Sequence, residues 1–226
     1  MSDFSHNRDD ASEYYQEQIR MQFSALKSLT RYDELIAQSL RLPNGRGYLA
    51  TVSQLHADDR STIELLTAIR SRVTTFPSQF VVTSARTRKW LRTLLLDVPD
   101  RILFFVLSRS GAIVGHMGFA HCDNDERRME VDNVVRANGT EAPGLMSVAL
   151  DRLCMWAEEC FTPREIYLRV LEDNQHAVRF YERRGFRAFQ RQPLRRVESI
   201  DEVNFVPRAP DDTDPPDRIY LFMRRK

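Results

Sequence analysis

The sequence predicts an α/β (α+β) domain: a mixed β-sheet with helices on both faces, preceded by an N-terminal helical extension. Three observations predict it. Short apolar runs of strand length alternate with stretches of helical period; breakers such as Ser110-Gly111, Pro163 and Gly185 mark the changes; and the order reads β-α-α-β-β-β-α-β-α-β-β. The chain has 226 residues, 42% hydrophobic and 29% charged, which is enough for one large core.

Each element has its own signal. Over residues 11–40, Tyr15, Ile19, Phe23, Leu26, Leu29, Ile36 and Leu40 form one apolar stripe on a polar helix, which ends at Leu42-Pro43-Asn44-Gly45. Residues 1–47 are therefore read as an extension packed on the main domain or on a partner chain, and residues 48–226 as the main domain. That domain opens with a strand over 48–55 and a helix capped by Asp58 or Asp59, with Ile63, Leu66 and Ile69 inward. A second helix, capped by Thr83 or Ser84, turns Trp90, Leu91, Leu94 and Leu95 inward and ends at Pro99-Asp100. Strands over 102–107 and 112–120 flank Ser110-Gly111 as a hairpin, and a third strand runs over 128–136. A loop over 137–144 leads into a helix over 145–161 with Ala149, Leu153, Trp156 and Cys160 on its buried stripe. A strand over 166–171, a helix over 174–184 closed by Gly185, and a strand over 186–190 follow. Residues 191–217 read as an irregular tract, and 219–223 as a closing strand.

Bulk composition narrows the function classes. A net charge of +1 supplies no strong basic field, and no stacking-aromatic pattern is evident, so no nucleic-acid partner is expected. Cys122, Cys154 and Cys160 are odd in number, lack a C-x-x-C pair and read as reduced thiols. No apolar run reaches the roughly 20 residues needed to span a bilayer, and Met1 to Asp10 is polar and acidic, so no membrane association and a cytoplasmic location are expected. His116 and His121 flank the second hairpin strand, and their spacing of five puts them on opposite faces, which argues against a shared metal site. Arg86, Arg88, Lys89 and Arg92 read as a solvated basic face.

Three stretches carry chemistry. In Met129-Glu130-Val131-Asp132-Asn133-Val134-Val135-Arg136, strand alternation puts Glu130 and Asp132 on one face. They could equally form a polar sheet face or pair with Arg128. In Glu141-Ala142-Pro143-Gly144-Leu145-Met146 a small-residue loop runs straight into a helix, so free backbone N–H donors and the helix dipole suit a phosphate pair, with Gly144 allowing close approach. Alone, that loop is an ordinary helix entry with proline near its first position. In the stretch 168–186, Asn174, Ala177 and Tyr181 share one helix face. A lone Tyr181 would be a core aromatic.

Together these stretches, spanning roughly residues 102–189, resemble the Gcn5-related N-acetyltransferase (GNAT) family. The loop departs from the family's [Q/R]-x-x-G-x-[G/A] pattern at Glu141 and Met146; the third stretch follows its N-x-x-A-x-x-x-Y helix and G-F sequence nearly position for position. The resemblance implies a splayed sheet that binds acetyl-coenzyme A as acyl donor, with no metal. It implies cofactor contacts from the backbone of Val134, Val135 and Arg136, from the loop residues Glu141, Ala142, Gly144, Leu145 and Met146, and from Asn174, Ala177 and Tyr181. Glu130, directly or through water, would take the amine proton, and Tyr181 would protonate the leaving thiolate; phenol and thiol titrate within about two units of each other. His116 could line the acceptor pocket or be structural. Cys122 is not expected to act as a nucleophile, because the family usually passes the acyl group directly to the acceptor.

The activity implied is acyl-CoA-dependent N-acyl transfer to a primary amine. The acceptor site is expected between the first helices and the tract 191–217, whose Arg195, Arg196, Glu198, Asp201 and Glu202 suit a small polar metabolite such as an amino sugar. The alternative is a non-catalytic module of the same fold that senses coenzyme A or holds a partner. The amphipathic N-terminal helix leaves a homodimer open.

Overall fold

A computed structural model describes residues 3–73, 75–137, 142–209 and 211–226, with side chains from residue 10 onward. Helix α1 spans Asp3–Lys27 and α2 Tyr32–Ala37; β1 is Leu40–Arg41 and β2 Gly47–Thr51. Helix α3 is Arg60–Arg70, β3 Ser78–Phe80 and α4 Ser84–Lys89, which continues as a π-helical stretch over Trp90–Leu96. Then come β4 (Ile102–Ser108), β5 (Ile113–Ala120), β6 (Arg128–Arg136), α5 (Leu145–Phe161), β7 (Glu165–Leu171), α6 (Gln175–Glu182), β8 (Phe186–Glu198), β9 (Glu202–Pro207) and β10 (Arg218–Arg225). One ten-stranded sheet runs β1-β2-β4-β5-β6-β7-β10-β8-β9-β3. Its pairs are antiparallel except β6 with β7.

Both faces are covered. On one face Trp156 of α5 is the hub: Phe23 of α1 stacks on it at 6.2 Å, and Phe104 and Phe161 meet its ring edge-on, each at 5.3 Å. Tyr15, Ile19 and Leu26 of α1 and Val178, Tyr181 and Phe186 around α6 belong to the same core. On the other face Ile63 and Leu66 of α3 pack with Trp90, Leu91, Leu95, Leu103 and Phe105. The stripe of α1 is thus buried on this chain's own sheet.

Five expectations are corrected, the first being that Cys160, near the end of α5, is exposed and not on its buried stripe. The helix expected over 11–40 ends at Lys27, because the Leu29 carbonyl accepts the Leu55 N–H (3.0 Å) and Leu40–Arg41 pairs with β2. Ile36 consequently faces solvent and Leu35 is buried in its place. Leu94 is exposed as well, since the i→i+5 pattern after Lys89, seen in Asp97 N–H to Arg92 O (2.9 Å), turns the inward face to Trp90, Leu91, Leu95 and Leu96. The strand expected over 48–55 stops at Thr51 and is followed by a short 3₁₀ turn, Gln54–His56. The tract 191–217 is largely ordered pairing: β8 continues to Glu198 and turns back as β9, on which β3 docks.

Strand β6 carries the main irregularity. His116 pairs with Val135 and Gly118 with Asp132, so Met117 alone opposes Asn133 and Val134: a β-bulge, with Asn133 at φ 53°. The fully buried His116 Nδ1–H donates to the Asn133 carbonyl at 2.7 Å and pins the bulge from below.

Two measurements check this packing. Phe23→Ala should cost about 3–5 kcal/mol in urea denaturation, because its ring lies at the centre of the core rather than on an appended arm; a loss below about 1 kcal/mol would detach α1 from the fold. Burial lowers the His116 pKa to about 4, against the opposing pull of the Asn133 carbonyl. The unfolded chain protonates this ring near 6.5, so its contribution is full above that pH and is lost as pH falls from about 6.5 towards 4, by about 3 kcal/mol. His116→Gln should flatten the stability profile in that window; an unchanged slope would show that this ring does not set it.

Candidate active site

Strand β6 pairs with β7 only at Arg128, Met129 and Glu130, opposite Glu165, Ile166 and Tyr167. From Val131 onward the two strands part. The bulge accounts for it, since an extra residue bends its strand and increases the local twist. Two thirds of β6 is thereby left with a free edge towards β7 in the middle of the sheet, an arrangement that an extended ligand with amide groups can complete as an added strand.

A cleft of about 290 Å³ lies at this fork, between β6, the start of α5 and α6. Its walls include Val134, Arg136, Ala142, Gly144, Met146, Ala177 and Tyr181, all expected from the sequence. Gly144, at φ 73°, precedes α5, and the N–H groups of Met146 and Ser147 have no protein acceptor among the described residues. These donors, the helix dipole, Arg136 and Arg183 fit a diphosphate; Val134, Ala177, Phe180 and Met146 fit an aliphatic arm. Met146 is accommodated because a Cβ at position 115 would stand 2.9 Å from its Sδ: glycine opposite makes room for the larger residue on the helix.

Other expected positions fall differently. Val135 and Leu145 are buried in core clusters, leaving only their backbone for a ligand. Asn174 caps α6, its Oδ1 accepting the Ala177 N–H at 3.2 Å. Glu141 lies outside the described residues. Sequence reading passed over Ser147, His176, Phe180 and Arg183; on α6, the spacing of Phe180 and Arg183 from Ala177 and His176 is the signal that places them on the cleft wall. It also passed over Arg46, whose Nη2 donates to the Pro143 carbonyl at 2.8 Å.

Tyr181 stands at the inner end of the cleft, edge-on to Phe180 (5.2 Å) and Phe186 (5.9 Å). Burial raises its pKa, and the negative charge of Asp132 raises it further, so the phenol keeps its proton at neutral pH. Glu130 is differently engaged. It is 5% exposed; Arg169 Nε donates to Oε1 at 2.7 Å and Nη2 to Oε2 at 3.0 Å, and the Tyr167 hydroxyl donates to Oε2 at 3.3 Å. Such a charge-assisted fork fixes β6 to β7 at the point where they diverge and occupies both carboxylate oxygens.

Asp132 instead lines a second hollow, of about 460 Å³, with Asn133, Arg70, Phe76, Phe80 and Arg101. The bulge lets β6 wall both hollows: Asp132 and Asn133 face this one, Val134 and Arg136 the other. Residues 191–217 shape the second hollow indirectly, through β9 pairing with β3; Arg195, Arg196, Glu198, Asp201 and Glu202 line neither hollow. His116 sits beneath the floor and does not line either. Cys122 is fully buried, donates to the Ala120 carbonyl at 3.4 Å, and burial pushes its thiol pKa up, so it is no nucleophile.

Comparison with known proteins places this arrangement. No curated protein matches the sequence. Several solved structures share the fold. A probable GNAT-family acetyltransferase from Chromobacterium violaceum is 15% identical over 82% of this chain and 84% of its own, with a TM-score of 0.61. RimL, a ribosomal L7/L12 α-N-protein acetyltransferase, gives 12%, 83%, 93% and 0.59. Spermidine N-acetyltransferase from Vibrio cholerae, in complex with CoA and spermine, gives 14%, 74%, 90% and 0.56. The family model described as "Acetyltransferase (GNAT) family" matches residues 66–186, more than half of the chain, so the protein belongs to the acetyltransferase (GNAT) family.

Proposed function

We propose that this chain transfers an acetyl or other acyl group from coenzyme A directly to a primary amine on a small polar metabolite. The observation that carries this is the fork between β6 and β7, with Tyr181 on its cofactor side and Asp132 on the other. Acyl-coenzyme A supplies a thioester whose carbonyl carbon is the electrophile. Backbone N–H groups of β6 near Val134–Arg136 polarise that carbonyl. Asp132, directly or through water, accepts the proton that the amine loses as the new C–N bond forms. Tyr181 donates its proton to the sulfur as the C–S bond breaks. Asp132 takes the role first expected of Glu130, because Arg169 holds both oxygens of Glu130. Glu130 is then a positioning residue.

Polyamines are bound by one structural neighbour; its 14% identity to this chain carries the fold and not the acceptor.

Thermal denaturation with acetyl-coenzyme A at about 100 times its dissociation constant should show about 2.7 kcal/mol of added stability. Tyr181→Phe should keep that shift and lower kcat by about 10²–10⁴. Asp132→Asn should lower kcat/KM for the amine, while Glu130→Gln should chiefly lower stability. A shift without thiol release from any amine would favour the non-catalytic module; no shift at millimolar cofactor would overturn the enzyme reading.

A further inference from the structure

The hollow that ends at Asp132 has an unusual charge balance for an amine site. Its lining contains one carboxylate, Asp132, and two guanidinium groups, Arg70 and Arg101. Neither arginine has a carboxylate partner among the described residues. Each has a buried nitrogen without a hydrogen-bond partner among the described residues, Nη1 of Arg70 and Nε of Arg101. A buried donor left unpaired is costly, and more so when it is charged. Arg127, Arg184 and Arg225 also carry such a nitrogen but line neither hollow, whereas Arg169 meets Glu130, Arg208 meets Asp212 and Arg218 meets Asp173.

We propose that the acceptor amine also carries an anionic group, a carboxylate or a phosphate, which Arg70 and Arg101 hold while its amine is presented to Asp132. This rests on the enzyme reading above and adds the substrate class. The two arginines come from different elements, the last turn of α3 and the residue before β4, and converge on one hollow. Arg70 is held in place by stacking on Trp90, with Cζ 4.1 Å from the ring centroid. Burial lowers its pKa to about 10, which leaves it charged at neutral pH and poorly solvated. A planar guanidinium in that state pairs strongly with carboxylate or phosphate oxygens. A polyamine lacks an anionic group and would meet two cations against one carboxylate, so the same charges select against it.

Calorimetric titration of the full-length chain, saturated with coenzyme A, tests this with two matched pairs: alanine against alaninamide, and glucosamine 6-phosphate against glucosamine. The anionic member of at least one pair should bind at least tenfold more tightly than its neutral counterpart, and the pair that responds identifies the anion. Arg70→Met and Arg101→Gln should each remove most of that advantage and leave coenzyme A affinity unchanged; Arg101→Gln serves if loss of the Trp90 stack unfolds the first variant. The proposal is overturned if neutral members or spermidine bind as well as the anionic ones. It is also overturned if the advantage survives both substitutions, or if no anionic probe binds protein that has bound coenzyme A. Anion-dependent binding without thiol release would uphold the anion site and count against acyl transfer.

Discussion

The hydrogen bond from His116 to the Asn133 carbonyl is the interaction on which the site depends. It holds Asn133 at positive φ, a conformation that is uncommon for any residue but glycine and somewhat tolerated by asparagine. With the bulge fixed, β6 leaves β7 just after Glu130, and the sheet opens at its centre instead of at an edge. Gly115 and Gly118 on β5 make the close pairing possible, since a Cβ at position 115 would lie 2.3 Å from the Val135 carbonyl oxygen and one at 118 only 1.9 Å from that of Ile102.

The fork and its two hollows divide the work by face. Helices α5 and α6 bring helix-terminal donors, small residues and a protonated phenol to one side of β6. The other side receives Asp132 together with arginines from α3 and the start of β4. The Glu130–Arg169 pair clamps the point of divergence. Glu130 ties the two strands together through Arg169, and its neighbour two residues on, Asp132, reaches the open hollow. Burial distinguishes them: Glu130 is enclosed by Arg169, Tyr167 and the sheet, whereas Asp132 is half-buried at the surface of a cavity.

The elements that form the cofactor side were largely legible in the sequence. The strand at Arg128–Arg136 and the helix at Leu145–Phe161 have strong alternation or strong period, clear breakers and few competing pairings. Asn174, expected only as a cofactor contact, is the N-cap of α6, a role its place before a helical period could have signalled. The bulge was not legible, because Val131-Asp132-Asn133-Val134-Val135 reads as ordinary strand and only tertiary contact from His116 selects positive φ at Asn133. Strands β8 and β9 were hidden by their exposed, arginine-rich and proline-broken composition; they are strands because they pair with β10, with each other and with β3. The second hollow was hidden for a different reason. Arg70, Phe76, Phe80, Arg101 and Asp132 are scattered over the chain, and no local spacing connects them.

The central claim is that the free edge of β6 receives the cofactor as an added strand. Amide hydrogen exchange with and without coenzyme A tests it most directly. The account predicts that exchange slows at residues 131–136 and in the first turn of α5, with α6 following, while β8 and β9 remain unchanged. Unaltered exchange over 131–136 in protein that has bound coenzyme A, with protection appearing elsewhere, would contradict it.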